Sequence, residues 1–174
     1  VLIRDLGMTL GEMFDLEAQV LAALSTHPHI VTLYRTLRSR DGRPVLVLEL
    51  CERSMTQVLR DEGPVPAPDA VAMAIKVAGA LETAHRSGVL HRDIKPQKIL
   101  VTSYGEPALG DFGVAQLQGA GAEAAASIGY TTLHAAPELL DGSPASAATD
   151  VYGLASSMYQ LLAGRAAFSA ADGE

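Results

Sequence analysis

The ten residues from His91 to Leu100 read HRDIKPQKIL and set one aspartate, Asp93, beside two lysines, Lys95 and Lys98. Two further short motifs follow, Asp111-Phe112-Gly113 and Ala136-Pro137-Glu138. An ionised carboxylate accepts protons and ligates hard cations such as Mg2+ through oxygen. A lysine ammonium donates hydrogen bonds and offsets anionic charge, but has no lone pair to give a metal. Acid–base work, hard-cation binding and anion neutralisation are therefore the chemistries that these residue types open. Singly, each triplet is a weak signal. Three in this order, at these separations, are poorly explained by chance.

The rest of the chain must position them. Its 174 residues suffice for one domain with a core, and 48% hydrophobic against 19% charged residues is a globular balance. A formal net charge of -7, without any Lys/Arg cluster, argues against a nucleic-acid binder, which needs a basic footprint to displace phosphate counterions. The single cysteine, Cys51, cannot form an internal disulfide and fits a reducing cytoplasm. No signal peptide is visible. No apolar run approaches the ~20 residues of a spanning helix, and VYGLASSMYQLLAG (151–164) is too short, so no membrane contact is expected from this segment. Arginine far outnumbers lysine and alanine is abundant, a bias of high-GC bacterial genomes.

Thr9-Leu10-Gly11-Glu12 has the form of a capping box, opening a helix with Met13, Leu16, Val20 and Leu24 on one side and His27-Pro28-His29 as its stop. Two strand-like runs follow, IVTLYRTL (30–37) and PVLVLEL (44–50), around the turn-rich RSRDGR. GPVPAPD (63–69) is a Pro-rich joint. The spacing then predicts a helix from about Asp69 to Ser87, with Val71, Ile75, Ala78, Leu81 and His85 along one stripe and Gly88 as its stop. The motifs sit on short loops beyond it, with a low-complexity run at 119–127, and Thr149-Asp150 introduces the last apolar helix.

With its three motifs in this order, the chain resembles a bacterial, actinobacterial-type Ser/Thr protein kinase catalytic domain from Glu17 to Phe168. The resemblance implies an α+β, bilobal fold. A partial small N-lobe of one helix and strands would span 1–50, a hinge and linker 51–64, and a mostly helical C-lobe without its last helices 65–174. It implies transfer of the γ-phosphate of ATP, with Mg2+, to a Ser/Thr hydroxyl of a protein substrate. Such transfer needs alignment and charge neutralisation more than covalent work. Asp93 matches the base and Lys95 the cation on the transferred phosphoryl, the Asp-Ile-Lys-Pro setting favouring Ser/Thr over Tyr acceptors. Asp111 matches the Mg2+ ligand and Glu17 the glutamate of the N-lobe helix. Leu48 resembles the gatekeeper, with Glu49, Leu50 and Cys51 the adenine-holding hinge and Leu100 the apolar floor. Read alone, Glu17 would simply be solvated and Cys51 a small hydrophobe. Thr131 stands where a threonine meets the catalytic loop, Ser127 and Thr132 suit phosphoacceptors, and Arg92 would pair with such a phosphate. Glu138 and Asp150 match structural positions; by type alone, Asp150 also suits a helix N-cap.

Three departures accompany the match. The family has a Gly-rich loop and a strand lysine paired with the helix glutamate, yet no lysine precedes Lys76 and no G-x-G-x-x-G precedes Glu17. Either the chain begins just after that lysine, or Val1-Leu2-Ile3-Arg4 carries arginine in its place. Late in the chain, the arginine that pairs with Glu138 in the family is missing. Finally, Lys98 replaces the asparagine that gives Mg2+ a carbonyl oxygen. At ~4 Å and an effective dielectric of ~20, unit charges interact by about 4 kcal/mol, and a divalent ion doubles the repulsion. Metal binding there is expected to be lost or weakened. Alternatively Lys98 extends to solvent, or pairs with Asp93 or Asp111 as a stand-in cation. Two functions follow: a Ser/Thr kinase domain with impaired turnover, or a pseudokinase that binds or scaffolds without catalysis.

Overall fold

Helix starts and stops follow local chemistry in the computed structural model, which describes residues 10–112 and 132–168. Helix α1 spans Leu10–Leu24 and buries Leu21 and Leu24; Thr9, and with it the expected capping box, lies outside the described residues. Strands β1 (Leu33–Arg38) and β2 (Pro44–Leu48), within the two runs expected as strands, pair antiparallel with Arg38 opposite Pro44.

The segment 51–64, expected as hinge and linker, has regular structure of its own: β3 (Cys51–Ser54) and α2 (Met55–Glu62). Ser54 N–H donates to Gln57 Oε1 at 2.7 Å, and Gln57 N–H donates to Ser54 Oγ at 3.4 Å. This is a reciprocal capping box, with Met55 and Val58 buried behind it.

Helix α3 runs Ala67–Arg86, with Pro68 and Asp69 in its first turn and His85 and Arg86 in its last, each at the favoured end of the helix dipole. Gly88 leaves it at φ 74°. The stripe expected to face the core requires correction: Val71 and Ile75 are 58% and 69% exposed. Leu81 of that stripe is buried, and its buried companions on α3 are Ala70, Val77, Ala80 and Ala84. Small alanines let the neighbouring backbone approach, and a reading weighted by side-chain size passes over them.

Strands β4 (Ile99–Thr102) and β5 (Pro107–Leu109) complete a three-stranded antiparallel sheet in the order β3-β4-β5. Leu109 N–H donates to His29 O at 2.8 Å and Val31 N–H to Leu109 O at 3.0 Å, tying the stretch between α1 and β1 to this sheet. A 3-10 turn (Thr132–His134), α4 (Pro137–Leu140) and α5 (Ala147–Ala163) follow. The N-cap of α5 is Ser146, whose N–H donates to Thr149 Oγ1 at 2.9 Å. Thr149 Oγ1 donates in turn to Glu138 Oε1 at 2.7 Å, holding that carboxyl below its usual pKa. Asp150 is thus not a cap, and its side chain is free to turn inward. No helix among the described residues is long and apolar enough to cross a membrane.

Gly153 of α5 lies against the loop that carries Asp93: a Cβ there would stand 3.1 Å from both the Cβ and the carbonyl oxygen of Ile94. Alanine gains about 1 kcal/mol of helix propensity over glycine, while overpacking costs about 1–3 kcal/mol. The contacting oxygen belongs to the backbone and cannot rotate away, so the strain wins. Gly153→Ala is expected to lower the urea midpoint by about 1 kcal/mol equivalent, and Gly153→Val by more; an unchanged Gly153→Val midpoint contradicts the close packing.

Burial holds the pKa values of His27, His91 and His134 below the ordinary histidine value. A depressed folded-state pKa stabilises above the unfolded value, about 6.5 for histidine, and that share is lost as pH falls through the folded value. The carboxyls that are held low, such as Glu106 and Glu138, act only further into acid. Stability measured by urea unfolding is therefore expected to fall as pH drops below about 6.5, and less steeply in His134→Asn. A flat profile there contradicts neutral burial of these rings.

Candidate active site

A buried carboxylate organises the loop that carries Asp93. Asp150, with its side chain fully buried, accepts hydrogen bonds from His91 N–H at 2.9 Å, Arg92 N–H at 2.6 Å and His85 Nε2 at 2.7 Å. Arg92 has φ 66°, a left-handed conformation costing about 1–2 kcal/mol. Hydrogen bonds to a charged group contribute about 1.5–3 kcal/mol each, so the bonds outweigh the strain.

His91 carries the ordering forward. Its Nε2 donates to Gly110 O at 3.2 Å, its Nδ1 accepts from Asp93 N–H at 3.4 Å, and its ring lies 4.9 Å from that of Phe112. One donor and one acceptor nitrogen define a neutral imidazole, which agrees with burial driving its pKa down. Lys98 N–H donates to Lys95 O at 2.8 Å, and Gly110 N–H to Lys98 O at 2.9 Å. With Ile99 opposite Leu109 across β4 and β5, position 98 is pinned beside Asp111, itself at φ 59°.

Four side chains converge on this frame. Lys95 Nζ lies 2.8 Å from Asp93 Oδ2; Lys98 Nζ hydrogen-bonds Asp111 Oδ2 and lies 3.9 Å from Asp93 Oδ2. Of the alternatives open for Lys98, the geometry is that of a cation paired with both carboxylates. Asp111 offers the hard oxygen that Mg2+ takes, but position 98 offers an ammonium that already holds this oxygen. The residues fit an ion on Asp111 and do not fit one ligated at position 98.

On the apolar side, Leu100 and Val31 converge on Gly110, where a Cβ would stand 3.0 and 3.2 Å from their methyl carbons. Leu48 and Leu50 are 39% and 85% exposed. Glu49 N–H donates to Thr32 O at 2.8 Å, and Glu49 Oε2 accepts from Thr32 N–H at 3.4 Å. Burial, then the charge of Glu49, pushes the Cys51 thiol pKa up, which disfavours a reactive thiolate. Glu17 lies within α1. Its side chain lies outside the described residues, as do Gly113, Ser127, Thr131 and the side chain of Thr132. A separate groove of about 490 Å³ between α3 and α5 reaches His85, Leu81 and Val151 but none of the four charged residues.

Sequence reasoning passed over His85 as a partner of Asp150, Thr149 as a partner of Glu138, and His134, whose Nδ1 lies 2.9 Å from Ser156 Oγ. The periodicity places His85 on a helix stripe, but only the tertiary fold brings it to a residue 65 positions away.

The model of the protein kinase domain matches residues 8–174. The serine/threonine-protein kinase PknK of Mycobacterium tuberculosis is 40% identical over 175 residues, covering 100% of this chain and 16% of the relative. PknL of the same species is 37% identical over 164 residues, covering 90% of this chain and 39% of the relative. The crystal structure of a point mutant of the M. tuberculosis PknI kinase domain is similar with a TM-score of 0.68 at 30% identity, covering 90% of this chain and 57% of that one. The chain thus spans well under half the length of these curated relatives. The chain belongs to the protein kinase domain family, and the curated relatives it matches are serine/threonine-protein kinases.

Proposed function

We propose that the chain is the phosphotransfer part of a Ser/Thr protein kinase, one that moves the γ-phosphoryl of ATP to a protein hydroxyl with low turnover. The observation that supports it best is the Asp93–Lys95 pair at 2.8 Å, on a loop clamped through its backbone to buried Asp150. Asp93 accepts the proton of the incoming hydroxyl, and Lys95 moves onto the oxygens of the transferred phosphoryl. Mg2+, when bound, would neutralise phosphate charge, and Asp111 is the residue that would hold it. Leu48, Leu100 and the backbone of Glu49 to Cys51 line the adenine side, and Glu17 orients the phosphate side. Thr131 meets the catalytic loop, while phosphate on Ser127 or Thr132 draws Arg92 and orders the intervening chain. Residues 1–50, 51–64 and 65–174 serve as partial N-lobe, hinge with linker, and partial C-lobe. A reducing cytoplasm is the matching compartment, a protein the matching substrate.

A second reading, a pseudokinase that binds or scaffolds without catalysis, draws on the pairing of Lys98 with Asp111. Transfer of label from γ-labelled ATP to a general Ser/Thr substrate separates the two. Removing a positioned base costs typically 10²–10⁴-fold, so Asp93→Asn is expected to lower a small wild-type rate by at least about 100-fold. Lys98→Asn is expected to raise that rate. If wild type and Lys98→Asn are both as inactive as Asp93→Asn, the binding module stands and the catalytic reading fails.

A further inference from the structure

Lys98 is drawn into the acidic site rather than out to solvent. Its ammonium holds Asp111 Oδ2 and lies 3.9 Å from Asp93 Oδ2, and its side chain is only 22% exposed, against the solvent-extended alternative. Its backbone is pinned on both sides, by Lys95 O and by Gly110 N–H. Asp93 already has Lys95 at 2.8 Å, so its charge is met without Lys98. What Lys98 adds is a second cation lying between two carboxylates.

Resting on the nucleotide-site reading above, we propose that Lys98 is a tethered cation that takes the place of a divalent ion between Asp93 and Asp111, so that the site binds a nucleoside polyphosphate with little dependence on Mg2+. Two carboxylates alone would repel a polyphosphate and require metal ions to bridge the anions. With Lys95 and Lys98 present, the four side chains sum to zero charge. On arrival of the phosphates, both ammonium groups can turn from carboxylate to phosphate oxygen. An ammonium offers no lone pair to a metal, so the same residue that favours the free polyphosphate opposes an ion at position 98. Lys98 is in this sense a specificity determinant: it selects among the metal-bound forms of one ligand class.

The test is equilibrium binding of a fluorescent ATP analogue to the full chain, in EDTA and in excess Mg2+. Mn2+ bound per non-hydrolysable nucleotide is counted in parallel by electron paramagnetic resonance. Wild type is expected to change affinity by less than about 3-fold on adding Mg2+, where 10-fold corresponds to about 1.4 kcal/mol. It is expected to hold one Mn2+ fewer than Lys98→Asn. That variant should bind at least about 10-fold more tightly with Mg2+ than without. Lys98→Met, which keeps the length and loses the charge, should bind more weakly in EDTA without gaining Mn2+. A wild-type affinity that rises about 10-fold or more with Mg2+, or equal Mn2+ counts in wild type and Lys98→Asn, overturns the tethered cation and leaves the nucleotide site intact. Absence of binding by every variant in both conditions overturns the nucleotide-site reading and this inference together. The wild-type comparison needs no substitution, so a variant that fails to fold leaves it decisive.

Discussion

The charged site depends on one buried carboxylate. Asp150 has no contact with solvent and satisfies three donors, two of them backbone N–H groups of the loop that carries Asp93. A buried charge is tolerable only when fully hydrogen-bonded, and these bonds also hold Arg92 in a conformation it would not otherwise adopt. From that point order spreads through His91 to Gly110 and Phe112, and along β4 and β5 to Lys98 and Asp111. Geometry at the site is thus set from beneath, by a helix whose own residues never enter it.

Once the frame is fixed, the chemistry turns on how cations are shared. Two lysines and two aspartates lie within hydrogen-bonding reach or just beyond it. Half-buried charges are screened less than exposed ones, so the ammonium at position 98 counts for more than a surface lysine would. It also explains why one residue type can separate a catalytic from a binding role without disturbing the fold: the backbone bonds at position 98 would be the same for asparagine.

Much of this was legible in the sequence, for identifiable reasons. Motif order gave the family, Gly88 gave the end of α3, and the apolar run gave the presence of the last helix, which starts at Ala147 rather than at Thr149. The exposed Val71 and Ile75 show the weakness of reading a helix face by side-chain size, because the packed face of α3 is built from alanines. The Ser54–Gln57 box was equally visible, and it marks regular structure within the segment expected as hinge and linker. The partners of Asp150, Glu138 and His134 lay beyond any local rule, since each pairing joins residues well separated along the chain. For Lys98 the residue type alone left three placements open, and only the tertiary register between β4 and β5 decides among them.

The start of α5 packs several duties into five consecutive positions. Ser146 caps the helix, Thr149 links that cap to Glu138, and Asp150 turns inward to the loop. Such crowding makes this stretch sensitive to phase rather than to composition. One residue inserted between cap and carboxylate would turn Asp150 by about 100° and shift it by about 1.5 Å along the axis, pointing it away from both amides while the helix itself persisted. Length, more than identity, is what this corner of the molecule must keep.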